Sequence, residues 1–412
     1  MYALARVSVR PANRRSHTDL TGEPPVRKEL APARVMLVCS GLDHARRGFE
    51  SFAREAFEVL RDEPLLDLEL VKASGPDGDR ERSVWALRRN QRLARALGRV
   101  WGRGHDGSHV EQLAFALSLQ PQILRRKPQV VYLSEWYTGK ALSALRRINR
   151  QDYALVLSHG SMVPEGFEPF DRVHQHTAPA LDYVLAKGAD PARQTLLPVA
   201  FQIPESVEIA TDEELRALRR QLELPHDRKV VISVAALNRH HKRLDYLIAE
   251  VARLPEPRPY LLLAGEPEAE TAELMALANE LLGEDGHGFR TVPRREVDLL
   301  LRASDHFVLA SLGEGLPRGL IEAMSQGLSC LAHDYAVAEY ALGGHGRLAD
   351  FTVPGALAGL LQPALRESRD PVLARERHRF VYESFSWDRL RPQYVDLLYG
   401  AVGRADFSRN NR

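Results

Sequence analysis

The chain has 412 residues, 44% hydrophobic and 27% charged, which suffices for two domains with their own cores and excludes a disordered or fibrous protein. Its net charge of +1 conceals an asymmetry, because residues 1–200 hold 30 Lys and Arg against 23 Asp and Glu, while residues 201–412 hold 26 against 32. A basic first half suits an anionic partner, although an Arg-rich solvated surface gives the same count.

Residues 1–32 are polar, Arg-rich and Pro-containing rather than signal-like, and are expected to form a disordered leader. From residue 33 to 200, apolar runs predict strands at Arg34 to Ser40, Leu66 to Ala73, Val130 to Leu133, Ala154 to Ser158 and Val173 to His176. Helical spacing predicts helices at Gly48 to Arg61, Val84 to Trp101, Val110 to Arg125 and Gly139 to Ile148, the second of them strongly basic. The pattern lapses over Leu197 to Asp212, where Pro198 and Pro204 bracket an extended piece read as a hinge. A second domain, 201–380, then restarts the alternation. Its strands are expected at Lys229 to Ala235, Tyr260 to Ala264, Phe289 to Val292, His306 to Ala310 and Ser329 to His333. Its helices are expected at Arg243 to Leu254, Glu268 to Leu282, Arg294 to Ala303 and Gly319 to Gln326. Such alternation predicts an α/β protein of two Rossmann-like domains facing each other, with a cleft at the carboxyl ends of both sets of parallel strands.

Several chemistries are missing. Neither a P-loop nor HExxH occurs. His240 and His241 are adjacent and diverge on any regular element, and His174 and His176 share a strand face without a carboxylate or Cys at metal spacing, so no metal site is expected. Cys39 and Cys330, each in an apolar stretch, exclude a disulfide framework and suit a reducing cytoplasm. No apolar run approaches the roughly 20 residues of a bilayer span. No basic helix interleaves aromatics, so nucleic acid is not an expected partner.

The most informative stretch is SLGEGLPRGLIEAMSQG, Ser311 to Gly327, directly after the apolar run HFVLA. Glu314 is expected in a loop at a strand's carboxyl end and Glu322 early in the next helix, so both can face one ligand. Gly315 allows close backbone approach, and the helix start beyond Pro317 offers unpaired N–H groups to an anion. Two Glu at a helix start also complement the helix dipole without any ligand.

This segment resembles the signature of retaining glycosyltransferases of family 4 (glycosyl transferases group 1), a GT-B family, in the variant EGxPRxxxEAM. The resemblance implies that Glu314 and the Gly315, Leu316 and Pro317 backbone contact the donor sugar and phosphate, and that Glu322 accepts the ribose hydroxyls. LNRHHKRLDYLIAEVARL resembles the loop and helix whose basic pair neutralises the diphosphate. Lys242 matches its lysine. Ala236 and Leu237 stand where the arginine is usual, and Arg239 could substitute only from a shifted place. LLLAGE, ending at Glu266, and RTVP, with Val292, resemble the strand and loop beside the nucleotide. Gly48 and Glu50 match GxE of the opening glycine loop, with Arg47 where a second glycine is common, and His159 matches a histidine that approaches the donor sugar. Residues 381–412 are similar to the helices that cross back to the first domain, which the resemblance makes the acceptor side. Cys39 and Trp136 are read as packing.

The implied reaction moves a sugar from a nucleotide diphosphate sugar, UDP or GDP type, to a glycan, lipid or secondary-metabolite acceptor. It retains configuration and needs no cofactor or metal, and Glu314, Lys242 and His159 stand at its chemistry. The protein is expected in the cytoplasm, with a peripheral contact to an anionic membrane surface through its basic half. A sugar-nucleotide epimerase is the first rival, against which the EGxPRxxxEAM segment stands. A non-catalytic GT-B partner subunit is the second, favoured by the missing arginine and opposed by the two Glu.

Overall fold

The computed structural model describes residues 31–44, 48–100, 107–160 and 166–402. The expected leader, apart from Ala31 and Pro32, lies outside them. In chain order the first half runs β1 (Ala33–Cys39), α1 (Gly48–Leu60), β2 (Leu66–Lys72), β3 (Glu81–Ser83), α2 (Arg92–Val100), α3 (Ser108–Ser118), α4 (Gln120–Arg126), β4 (Val130–Leu133), α5 (Trp136–Ile148), β5 (Ala154–His159), β6 (Arg172–Gln175), α6 (Ala178–Ala186) and β7 (Gln194–Leu196). The second half runs α7 (Asp212–Gln221), β8 (Val230–Val234), α8 (Leu244–Ala252), β9 (Tyr260–Ala264), α9 (Thr271–Leu282), β10 (His287–Arg290), α10 (Arg294–Ala303), β11 (His306–Leu309), α11 (Arg318–Ser325), β12 (Ser329–His333), α12 (Ala336–Leu342), β13 (Arg347–Ala349), α13 (Ala356–Ala364), α14 (Pro371–Phe385) and α15 (Trp387–Tyr399).

Among the described residues the strands form two parallel sheets, β3-β2-β1-β4-β5-β6-β7 and β10-β9-β8-β11-β12-β13. Their central strands, such as VVYL of β4 and HFVL of β11, are buried along their whole length, as strands covered on both faces require. In each sheet the chain moves outward from its first strand and then returns to that strand's other side. The crevices of the two halves therefore open between β1 and β4 and between β8 and β11.

The chain crosses between the halves twice. Residues 197–211 are extended and end in a capping box, Thr211 with Glu214, that starts α7. The return is at α14 and α15, where Phe201 N–H donates to Phe385 O at 2.8 Å and Trp387 N–H to Phe201 O at 3.0 Å. Trp387 stacks on Phe52 of α1 at 6.1 Å, and the Tyr394 hydroxyl donates to Pro198 O at 2.7 Å, so α15 packs on the first half. The boundary expected at 380 falls inside α14.

Three expected elements differ. Of the helix expected over Val84 to Trp101, only α2 forms, because the Arg89 backbone N–H and guanidinium bind Glu111 at 2.5–2.9 Å and hold 84–91 as a loop; Trp101 lies outside the described residues. Val110 to Arg125 is two helices, since Pro121 has no N–H for the turn before it and restarts the helix as α4. β10 begins two residues before Phe289 and ends at Arg290, whose carbonyl accepts from Gly265 N at 2.9 Å.

Candidate active site

At the second sheet's crevice, the loops after β8 and β11 supply opposite charges. Lys242 Nζ lies 2.5 Å from Glu314 Oε1, and Ser311 Oγ donates to the same oxygen at 2.7 Å. The turn that presents Lys242 is fixed by Asn238, buried to 3% exposure, whose Oδ1 accepts the N–H groups of His241 at 3.1 Å and Lys242 at 2.8 Å. Arg243 follows in the left-handed region, φ 51°, and its guanidinium stacks 4.3 Å from the Tyr246 ring. Burial first, and the Glu314 charge second, hold the neighbouring Tyr335 phenol above its usual value.

Beyond Glu314 the chain passes Gly315, half-buried Leu316 and buried Pro317 into α11, which begins without a side-chain cap. Its first N–H groups thus lack a capping side chain and face the crevice end of the sheet. Glu322, in the second turn, is 7% exposed, with Arg318 Nε 3.6 Å from its Oε1. Arg318 also donates to Glu55 Oε1 of α1 at 3.2 Å and covers the Phe201 ring at 4.5 Å, so it spans the cleft. Its Cδ is 3.5 Å from the point a Gly48 side chain would occupy.

The halves touch at a second place. A Cβ on Gly315 would fall 1.6 Å from the Gly160 carbonyl oxygen, so only glycine permits this approach. Gly160 follows His159, which closes β5 inside an aromatic box, 5.1 Å from Phe167 and 6.2 Å from Trp136. Burial, opposed by the contact with Gln175, holds the His159 ring below its usual value and keeps it neutral at pH 7.

Glu314, Lys242, Gly315, Leu316, Pro317, Glu322, Gly48 and His159 are thereby gathered around one cleft. Glu266 and Val292 stand along its flank: Leu237 N–H donates to Glu266 O at 3.0 Å, and Thr291 Oγ1, next to Val292, to Gly265 O at 3.0 Å. Arg239 is turned elsewhere. Its N–H donates to Glu270 at 2.7 Å, and its guanidinium engages Glu273 at 3.0 Å and Asp245 at 3.6 Å.

The crevice of the first sheet is acidic. Glu135, buried, accepts from Ser40 N at 2.8 Å, Ser40 Oγ at 2.6 Å and Thr138 Oγ1 at 3.1 Å, yet burial outweighs these bonds and raises its carboxyl above the ordinary value. Burial works the same way on Glu111, but there hydrogen bonds from His44 and Arg89 prevail and bring the carboxyl down to about 2.

Sequence reasoning gave no role to Asn238, Ser311, Arg318 or Tyr335. An Asn four residues before Lys242 is a readable turn signal, whereas nothing in the sequence ties Arg318 to Glu55, 263 residues away.

Residues 215–386 match the family model described as glycosyl transferases group 1. The putative teichuronic acid biosynthesis glycosyltransferase TuaC of Bacillus subtilis (strain 168) is 23% identical over 209 residues, 50% of this chain and 46% of that protein, so the match spans about half of the curated relative's length. Among solved structures, sucrose-phosphate synthase from Thermosynechococcus elongatus superposes with a TM-score of 0.71 at 17% identity, over 89% of this chain and 98% of that one. Anabaena HepE, in complex with UDP and glucose, gives 0.69 at 16% identity, over 89% and 100%. At these identities the likeness is one of fold. The fold is GT-B, and residues 215–386 are similar to the glycosyl transferases group 1 family.

Proposed function

We propose that the protein is a retaining glycosyltransferase that moves a sugar from a UDP- or GDP-type donor to a glycan, lipid or secondary-metabolite acceptor. The Lys242–Glu314 pair, set at the second sheet's switch point beside the uncapped start of α11, carries this reading. An ammonium has three N–H donors and Glu314 takes one, so Lys242 can hold a donor phosphate while remaining fixed. The α11 N–H groups face the same phosphate, and Glu322 accepts the ribose hydroxyls. The sugar then lies toward Gly315 and His159, whose neutral ring can hydrogen-bond a hydroxyl.

In the reaction the anomeric carbon's bond to the phosphate oxygen breaks and its bond to the acceptor oxygen forms on the same face. The acceptor proton passes to the leaving phosphate. Rate comes from stabilising that phosphate and from positioning. No cofactor or metal enters the scheme. HepE, whose structure holds UDP and glucose, supports a nucleotide-sugar donor.

The reaction is assigned to the cytoplasm, which the buried free thiols Cys39 and Cys330 suit. No helix among the described residues is long and apolar enough to cross a membrane. A peripheral contact through α2 is part of the proposal: Leu93 and Leu97 are exposed there among Arg92 and Arg95.

Release of nucleoside diphosphate from a panel of UDP, GDP and ADP sugars tests the activity, and the anomeric proton coupling of the product tests its stereochemistry. An α-linked donor should give an α product; a β product rejects the retaining mechanism and turns attention to Glu50 and Glu135. The second reading, a non-catalytic partner subunit, is favoured by the engagement of Arg239 with Glu270, Glu273 and Asp245. It predicts calorimetric binding of a nucleoside diphosphate without release from any sugar donor.

A further inference from the structure

The end of the second sheet away from the cleft holds a separate polar recess. Lys229, His306 and Ser329, at the amino ends of β8, β11 and β12, line a space of about 70 Å³ closed by residues 208–210 and the first turns of α14. That is room for several waters or one tetrahedral oxyanion.

Of the four carboxylates here, Glu208 is exposed and the other three already have partners. Asp305 accepts from Arg219 at 2.6 Å and from Val230 N at 2.7 Å, Glu367 from Arg347 at 2.5 Å, and Asp370 from Val372 N at 2.8 Å at the start of α14. Among the cations, Lys229 and Arg369 share Asp305, at 3.6 and 3.5 Å. Arg377 reaches the carbonyls of His345 at 3.4 Å and Gly327 at 3.2 Å, and among the described residues no carboxylate lies within ion-pair distance of it. Burial lowers the affinity of both Arg377 and Arg369 for their protons; Asp305, 3.5 Å away, offsets this in part for Arg369, whereas Arg377 has no such carboxylate beside it among the described residues. His306 is 5% exposed, and its Nδ1 has no hydrogen-bond partner among the described residues. A buried polar atom left so costs free energy that a ligand would recover.

We propose that this recess is a binding site for a small oxyanion of the phosphate class, held by the Arg377 guanidinium, the Lys229 ammonium and an N–H on His306 Nδ1. The anion can be free phosphate or the phosphate of a larger metabolite. Because the walls include 208–210 and α14, it joins the outgoing crossover to the helix that leads back to the first half. The site is thus placed to act on the hinge, and it stands apart from the cleft whether or not the cleft transfers sugar.

Inorganic phosphate titrated into the full chain, followed by calorimetry and by melting temperature against chloride at equal ionic strength, tests this. Saturable millimolar binding with a rise in melting temperature is expected, weakened at least about tenfold in Arg377→Gln and unchanged in Lys242→Met. Should Arg377→Gln fail to fold, Lys229→Gln, at the rim, is expected to weaken binding in the same direction. Titration with a sugar phosphate distinguishes the sources: tighter binding than inorganic phosphate indicates a larger metabolite, equal or weaker binding the free ion, and each supports the site. No saturable binding overturns the proposal, as does binding that survives Arg377→Gln and Lys229→Gln or disappears in Lys242→Met, which would place the phosphate in the cleft.

Discussion

Lys242 is the residue on which the proposed chemistry depends most. Its ammonium contacts Glu314 and its backbone is held by Asn238, so replacement by Met should leave the turn intact. It would also leave the Glu314 carboxylate, without its cation, facing an incoming diphosphate. Turnover should therefore fall on the order of 100-fold or more with the melting temperature unchanged, as steady-state kinetics and thermal denaturation would show. A variant with normal rates would assign the charge to the surface. Glu322→Ala should weaken binding of the correct nucleoside diphosphate by about 1.5 to 3 kcal/mol, the range for a hydrogen bond to a charged group, and calorimetry reads this directly. Glu314 and Glu322 drew notice through their spacing in one strand-to-helix segment and Lys242 through the resemblance, and the folded chain brings Lys242 against Glu314. Arg318 was not legible: its neighbours are Glu55 and Phe201, which only the folded chain brings to it.

At the scale of elements, strands covered on both faces announce themselves as apolar runs, and β1, β2, β4, β5, β8, β9, β11 and β12 appear where such runs stand. β3, β7 and β13, three residues each, carry no such run and add themselves to sheets that others define. The helical spacing over 84–91 is real but loses to the ion pair between Arg89 and Glu111, a tertiary contact that spacing does not register. Two strands also carry a pH dependence. Burial holds His174 of β6 and His306 of β11 neutral, with folded values of about 4 against 6.5 for the free ring. Between those values the unfolded chain binds more protons, so stability falls as pH drops from 6.5 and the loss is complete below 4. At pH 5 it should reach roughly 2 kcal/mol per ring. Denaturant midpoints at pH 8 and pH 5 check this; Glu111, brought down to about 2, adds its own loss only below the usual carboxylate range.

For the whole molecule, the halves meet where α6 packs on α12 and at two further contacts of different kinds. Gly160 against Gly315 is a steric stop, whereas Glu55 with Arg318 is an ionic clasp that shares its cation with Glu322. Glu55→Gln should loosen the clasp without emptying the donor site. The expected result is a larger radius of gyration by small-angle scattering and a raised acceptor KM, with nucleoside diphosphate affinity changed less than threefold, about 0.65 kcal/mol. Two Rossmann-like domains facing across a cleft were legible from the repeated alternation alone. Their closure was not, because both contacts join residues more than 150 positions apart.

The paired main-chain bonds between Phe201 and residues 385 and 387 mean that the two passages of the chain between the halves meet at one point. Covalent continuity is therefore redundant there. A protease cut at exposed Glu205 or Ser206 would leave the first half still joined to the second through α14 and α15, so the nicked protein should elute as a single species under native conditions and separate only in denaturant. New chain ends should be tolerated at the same place, between Glu205 and Ser206.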